Sequence, residues 1–158
     1  MAFLSDELRS QIQAHIPDYP DKRAVTLWAL HHVQDALRCV PIPAIREIAE
    51  ILELHPSEVH DTMSFYGIFR DEKHKLGKDR LWVCRSVSCG LRGGEEMFEK
   101  LCGHYHVKPG GTSEDQKVTV EFAECLGGCE QAPCVLVNDE LHGNMTTEST
   151  IEMMNQLK

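Results

Sequence analysis

The 158-residue sequence is short of several things, and each shortage excludes something. No stretch approaches the roughly 18 consecutive apolar residues of a membrane span. The opening "MAFLSDELRS" turns acidic at Asp6. It has neither an apolar run of signal-peptide length nor an Arg-rich, acid-poor presequence character, so a cytoplasmic location is expected. Positive charge is scarce: 16 Lys and Arg stand against 25 Asp and Glu, a formal net charge of −9. Residues 1–79 carry 9 basic and 13 acidic side chains, residues 80–158 carry 7 and 12, so neither half is built for nucleic acid. There is also no C-x-x-C pair, which disfavours a thiol–disulfide enzyme.

What is present points elsewhere. The 42% hydrophobic content suffices to close a core without staples. Seven cysteines is an odd number, and a reducing compartment disfavours structural disulfides. Three of the seven fall within "AECLGGCEQAPC", residues 123–134.

Residues 1–79 read as a helical domain. "SDELRSQIQAHI" predicts an N-terminal helix, and "DKRAVTLWALHHVQDALRC" predicts one of some five turns, with Val25, Trp28, Ala29, His32, Val33, Ala36 and Leu37 at helical spacing. "PAIREIAEILEL" repeats the pattern through Ile45, Ile48, Ala49 and Leu52, and "HPSEVHDTMSFYGIF" opens a further helix near Pro56. The aromatics Phe65, Tyr66 and Phe69 at its end read as local core packing, with contact to a partner subunit as the alternative. Residues 71–79 read as a linker.

Residues 80–158 change grammar. "RLWVC" predicts a strand, "EEMFEKLCGHYHV" a helix and "KVTVEF" a second strand. The cysteine-rich stretch, a hairpin from "CVLV" to "ELHGNM" and a helix from about Thr147 to Leu157 follow. That order describes a two-layer α/β unit of thioredoxin-like type, and the whole chain is expected to be α+β.

Cys84 and Cys89 have four residues between them, Cys125 and Cys129 have three, and thirty-five residues separate the pairs. Two parallel strands joined by a crossover helix end at the same edge of a sheet, so both pairs are expected at one rim. Four thiolates suit a binuclear iron–sulfur cluster, two per iron. The glycines of "CLGGC" let backbone N–H groups approach the negative charge of such a cluster. Zinc also accepts four thiolates and stays open as a competitor. Cys39, Cys102 and Cys134 read as ordinary packing, Cys134 being near enough to Cys129 to lie just behind it. His104 and His106, near Cys102, read as a solvated helix end.

"CRSVSC", then "ECLGGC" followed by "APCVLVND", resembles the thioredoxin-like 2Fe-2S ferredoxins that form the small iron–sulfur subunit of the NADH-oxidising module of respiratory complex I. "YPDKRAVTLWALHHVQ", "PSEVHDTMSFYGIF" and "KPGGTSED" have counterparts there too, so the resemblance covers nearly the whole chain. It implies one 2Fe-2S cluster per chain on Cys84, Cys89, Cys125 and Cys129. Two small departures are Cys134, where an aliphatic residue or methionine is more frequent, and Gly128, where alanine is frequent. The resemblance further implies an electron-transfer subunit of a larger respiratory complex, peripheral to the membrane. Its partner would be a flavin-containing, NADH-binding subunit with its own iron–sulfur cluster, and the isolated chain would self-associate as a homodimer. NAD-linked hydrogenases and formate dehydrogenases contain equivalent subunits. A zinc-stapled binding module, and a thiol sensor pairing Cys129 with Cys134, are the remoter alternatives. An acidic protein around an anionic cluster implies a low reduction potential.

Overall fold

The computed structural model describes residues 3–157. Its chain divides into two compact units, one running to Lys75 and the other beginning at Leu76. The first is helical and the second contains a sheet, so the class is α+β.

In the helical unit α1 (Asp6–His15), α2 (Thr26–Leu37), α3 (Ile42–Leu52) and α4 (Pro56–Phe65) follow one another. Ser5 caps α1 by accepting from the Leu8 amide. His55 and Glu58 form a reciprocal capping box on α4, and Pro56 sits in the first turn, where a missing N–H costs nothing. Ile45, Ile48, Ala49 and Leu52 are all buried, as their spacing predicts, and join Ile12, Leu30 and Val33 in one aliphatic core. Gln34 is buried among them with both ends of its amide satisfied. Its Nε2 donates to the Ile68 carbonyl at 2.9 Å and its Oε1 accepts from the Arg70 amide at 2.7 Å, clamping the chain beyond α4 to α2.

Two expectations need correction here. The five-turn helix predicted from Asp21 starts instead as a 3-10 turn, Lys22–Val25, with the Asp21 carboxylate accepting from the Arg23 amide as its cap; α2 itself has 12 residues. Phe65, read as core, is 80% exposed, whereas Phe69 is buried. Val59 and Met63 mark the buried stripe of α4, and Phe65 lies two residues past Met63, about 200° round the helix.

The second unit comprises β1 (Asp79–Cys84), α5 (Val87–Leu91), α6 (Gly94–His104), β2 (Val118–Ala123), β3 (Val135–Val137), β4 (Glu140–His142) and α7 (Thr147–Gln156). The sheet order is β2-β1-β3-β4, with β1 and β2 parallel and the other neighbours antiparallel. Alternation sends Leu81, Val83, Val120, Val135 and Val137 into a core with Phe98 and Leu101 of α6 and Met154 of α7. Phe98 stacks on Phe122 with ring centres 3.6 Å apart. The intervening residues Arg80, Trp82 and Glu121 point to the opposite face. There Glu121 accepts from the Arg80 guanidinium and from the Trp82 indole, the latter at 2.7 Å, in a pair that is almost wholly buried.

Nothing in the periodicity of "CRSVSC" predicts α5, and β2 starts one residue later than the spacing implies. The stretch 71–79 contains a 3-10 turn, Glu72–His74, capped by Asp71, and its last residue opens β1.

Candidate metal centre

Parallel pairing decides where the cysteines go. β1 and β2 run in register from Asp79 opposite Val118 to Cys84 opposite Ala123, so both end at one edge of the sheet. Cys84 closes β1, and Cys125 follows β2 after Glu124. The Arg85 amide donates to the Ala123 carbonyl at 3.0 Å, and the Arg85 guanidinium donates to the Glu124 carboxylate, Nε at 3.0 Å. The two strand exits are thereby fastened together, and the acidic residue beside Cys125 has a counter-charge. The turn into α5 brings Cys89 back beside Cys84. Both are 2% exposed, and they pack with Ala132 and Cys134 in a small core of their own.

Cys125 and Cys129 are exposed, with sulfurs 3.8 Å apart. Two thiolates on one tetrahedral metal, with bonds of about 2.3 Å, stand about 3.8 Å apart. The second pair thus already has the spacing of two ligands on one metal. Cys84 interacts directly with Cys89 and acts electrostatically on Cys129, which links the pairs. Among the described residues, no three His, Cys, Asp or Glu side chains surround one point as a lone metal ion requires. The Cys125 and Cys129 sulfurs form one close pair, and Cys84 and Cys89 lie together in the buried nest.

The pairs differ electrostatically. Burial, above all, pushes the Cys89 thiol up to about 12; the Cys134 amide opposes that shift and Cys84 reinforces it. The Gly127 amide holds Cys125 below the ordinary thiol value, helped by Cys129 and the Ser86 hydroxyl. Cys125 in turn raises Cys129, with the Ser88 hydroxyl opposing. Gly127 has a φ of 83°, a left-handed conformation that a Cβ would strain. Gly128 has an ordinary φ of −99°, and its constraint is space: a Cβ there would lie 2.9 Å from Cys134 Sγ.

The model of the thioredoxin-like [2Fe-2S] ferredoxin family matches residues 12–158. The chain belongs to this family. It is 34% identical over 136 residues to a subunit of the NADH-quinone oxidoreductase of Aquifex aeolicus (strain VF5), covering 85% of this chain and 83% of that one. It is 35% identical over 138 residues to a subunit of the NADH-quinone oxidoreductase of Rhizobium meliloti (strain 1021), covering 87% and 81%. Its fold is similar to that of a chain in the NAD+-reducing [NiFe]-hydrogenase in the H2-reduced state, with a TM-score of 0.72 and 23% identity over 84% of this chain and 22% of that one.

For a thioredoxin-like [2Fe-2S] ferredoxin the donor set fits the cofactor: four thiols in two pairs, with amide and hydroxyl donors aimed at them. Sequence reasoning missed several contributors. Ser86 and Ser88 lie inside the first cysteine pair yet act on the second, a contact that only tertiary structure creates. Arg92 Nη1 donates to the Ala132 carbonyl at 3.0 Å, tying the turn after α5 to the loop before β3. Cys134, read from the sequence as packing just behind Cys129, sits in the same small core as Cys84 and Cys89. Cys39 and Cys102 are buried, Cys102 within the apolar core of the sheet unit, and burial raises both thiols.

Proposed function

We propose that this chain is an electron-transfer subunit of a complex I type NADH:quinone oxidoreductase, with one 2Fe-2S cluster held by Cys84, Cys89, Cys125 and Cys129. The observation that supports this best is the meeting of two cysteine pairs at one sheet edge in a chain whose relatives are subunits of NADH-quinone oxidoreductases. Bound there, the cluster supplies one-electron chemistry, with reduced flavin on an NADH-binding partner subunit as the electron source.

The chain's own residues hold, shield and tune. Cys84 and Cys89 anchor the centre to the sheet. The Gly127 amide and the Ser86 and Ser88 hydroxyls offset negative charge on the outward pair. α5 exposes Val87 at 75% and Leu91 at 84%, an apolar edge beside the outward pair that suits a partner surface excluding water. In the helical unit Leu27, Phe65 and Tyr66 line one open groove, which supports a second contact with a larger subunit. No helix among the described residues is long and apolar enough to cross a membrane, so in this reading membrane association comes through other subunits. Homodimerisation of the isolated chain belongs to the same reading.

The equivalent subunit of an NAD-linked hydrogenase or formate dehydrogenase is the second reading. The likeness to the hydrogenase chain is one of fold, whereas relatives at 34% and 35% identity favour the quinone oxidoreductase. Anaerobic purification tests the proposal. Reddish-brown protein with about two irons and two sulfides per chain, and a paramagnetic resonance signal on reduction, is expected. Colourless protein with full zinc occupancy overturns it, and the co-purifying chains identify the parent complex.

A further inference from the structure

We infer that Cys134 is a positioning residue of the centre, its thiol locking the Gly128 carbonyl and so fixing the loop that presents Cys129. The inference rests on the reading that the four paired cysteines hold the cluster, and deepens it.

Cys134 is 1% exposed and touches the site through both its side chain and its backbone. Its Sγ donates to the Gly128 carbonyl at 2.9 Å and lies 3.5 Å from the Gln131 carbonyl. Its own carbonyl accepts from the Cys84 amide at 3.1 Å, joining the end of β1 to the approach to β3. Its amide faces the Cys89 thiol. One residue thus reaches both members of the first pair through its backbone, Cys89 also through its thiol, and the loop of the second pair through its side chain.

Gly128 is the other half of this lock. Its φ of −99° suits any residue, so conformation does not require glycine. Space does: a Cβ would stand 2.9 Å from Cys134 Sγ, closer than a Cβ makes a non-bonded contact, and 3.3 Å from Leu141 Cδ2, an exposed side chain that can move aside. The thiol therefore occupies the volume a side chain at 128 would need, and binds the carbonyl that its presence leaves within reach. An aliphatic side chain at 134 would fill similar space without supplying a donor. Because Gly128 directly precedes Cys129, the orientation of its peptide sets where the Cys129 sulfur sits relative to Cys125.

The test uses the full chain with its cluster and four variants: Cys134→Ala, Cys134→Ser, Gly128→Ala and the double variant Gly128→Ala/Cys134→Ala. Resonance spectra of the reduced protein, redox titrations and the rate of iron loss to a chelator are compared. Cys134→Ala is expected to alter the g values and midpoint potential and to lose iron about fivefold faster, the factor one neutral hydrogen bond is worth. Cys134→Ser is expected to restore the native signature, since its hydroxyl donates in the same place. Gly128→Ala is expected to perturb the signal, and adding Cys134→Ala to relieve that perturbation by removing the sulfur the new methyl meets. Native spectra and potential in Cys134→Ala overturn the inference, as do equal perturbation by Ala and Ser or strictly additive effects in the double variant. If Cys134→Ala takes up no iron, the Ser variant and the glycine pair still decide. Wild-type protein lacking iron and sulfide defeats the cluster reading itself, whereas a loaded wild type with indifferent variants defeats only the role of Cys134.

Discussion

The helical unit has an aliphatic interior in which the buried Gln34 amide is matched at both ends by backbone groups. The sheet unit buries the Arg80–Glu121 ion pair on one face of its sheet, and at one edge a nest holding Cys84, Cys89 and Cys134. An aliphatic core tolerates exchanges of similar volume. Buried charges and thiols are tolerated only where each partner stays in place, because an unmatched polar group in a low dielectric is costly. The difference teaches where substitution is forgiven: through much of the first unit, and hardly at all along β1 and the loops that leave it.

The cysteines give the sharpest division. Serine at any of positions 84, 89, 125 or 129 is expected to replace the native cluster signal with a shifted or weakened one, since an oxygen then stands where one of the four thiolates would bind iron. Metal-free stability should separate the pairs. Serine at 84 or 89 places a hydroxyl in a buried apolar nest and is expected to cost about 1–3 kcal/mol. Serine at the exposed positions 125 or 129 should change stability by no more than about 0.5 kcal/mol. Resonance spectra of the reduced variants, with chemical denaturation of the apo variants, check both parts. Equal destabilisation by all four would break the distinction between an anchored and an outward pair.

The next effect belongs to the buried charge. Glu121→Leu leaves the Arg80 guanidinium without its carboxylate and the Trp82 indole without its acceptor, and is expected to cost about 3–5 kcal/mol, with altered tryptophan fluorescence. Iron content should persist at temperatures where the variant stays folded. Gly127→Ala follows at about 1–2 kcal/mol, from a left-handed φ of 83° forced on a residue with a Cβ. It should also displace the amide that faces Cys125, which a shifted resonance spectrum would reveal.

Much of this was legible in the sequence, for identifiable reasons. Apolar spacing of 3.6 placed α3, and β-branched alternation placed β2 to within one residue. A parallel pair with a crossover helix sends both cysteine motifs to one edge, which needs only the order of elements. What escaped depends on side-chain reach across space. Ser86 and Ser88 look like loop polarity until α5 turns them toward the other pair, and a helix of five residues leaves no periodicity to read. The lock between Cys134 and Gly128 needs a distance, 2.9 Å, that no spacing along the chain implies. Phe65 failed because an aromatic beside Tyr66 and Phe69 resembles core until the buried stripe of α4 is known.

The smallest effect concerns the helical unit and runs through pH. Glu47 of α3 accepts from the Phe3 and Leu4 amides, the latter at 2.9 Å, and pairs with Arg9 at 2.8 Å, so one carboxylate ties the chain's start to α3. Burial works against its ionisation, yet those amides and the guanidinium together hold it below its ordinary value of 4.5. A folded value depressed below the unfolded one gives stability that is complete above about pH 4.5 and is lost as pH falls through the folded value. Glu47→Gln is therefore expected to cost about 1 kcal/mol at neutral pH and to flatten the acid limb of the stability curve. Denaturant midpoints between about pH 6 and pH 3 check this, wild type and variant converging at the acid end. Parallel curves would mean that the carboxylate's charge contributes nothing to holding the start of the chain. The division would then be sharper still, with stabilising buried charge confined to the sheet unit.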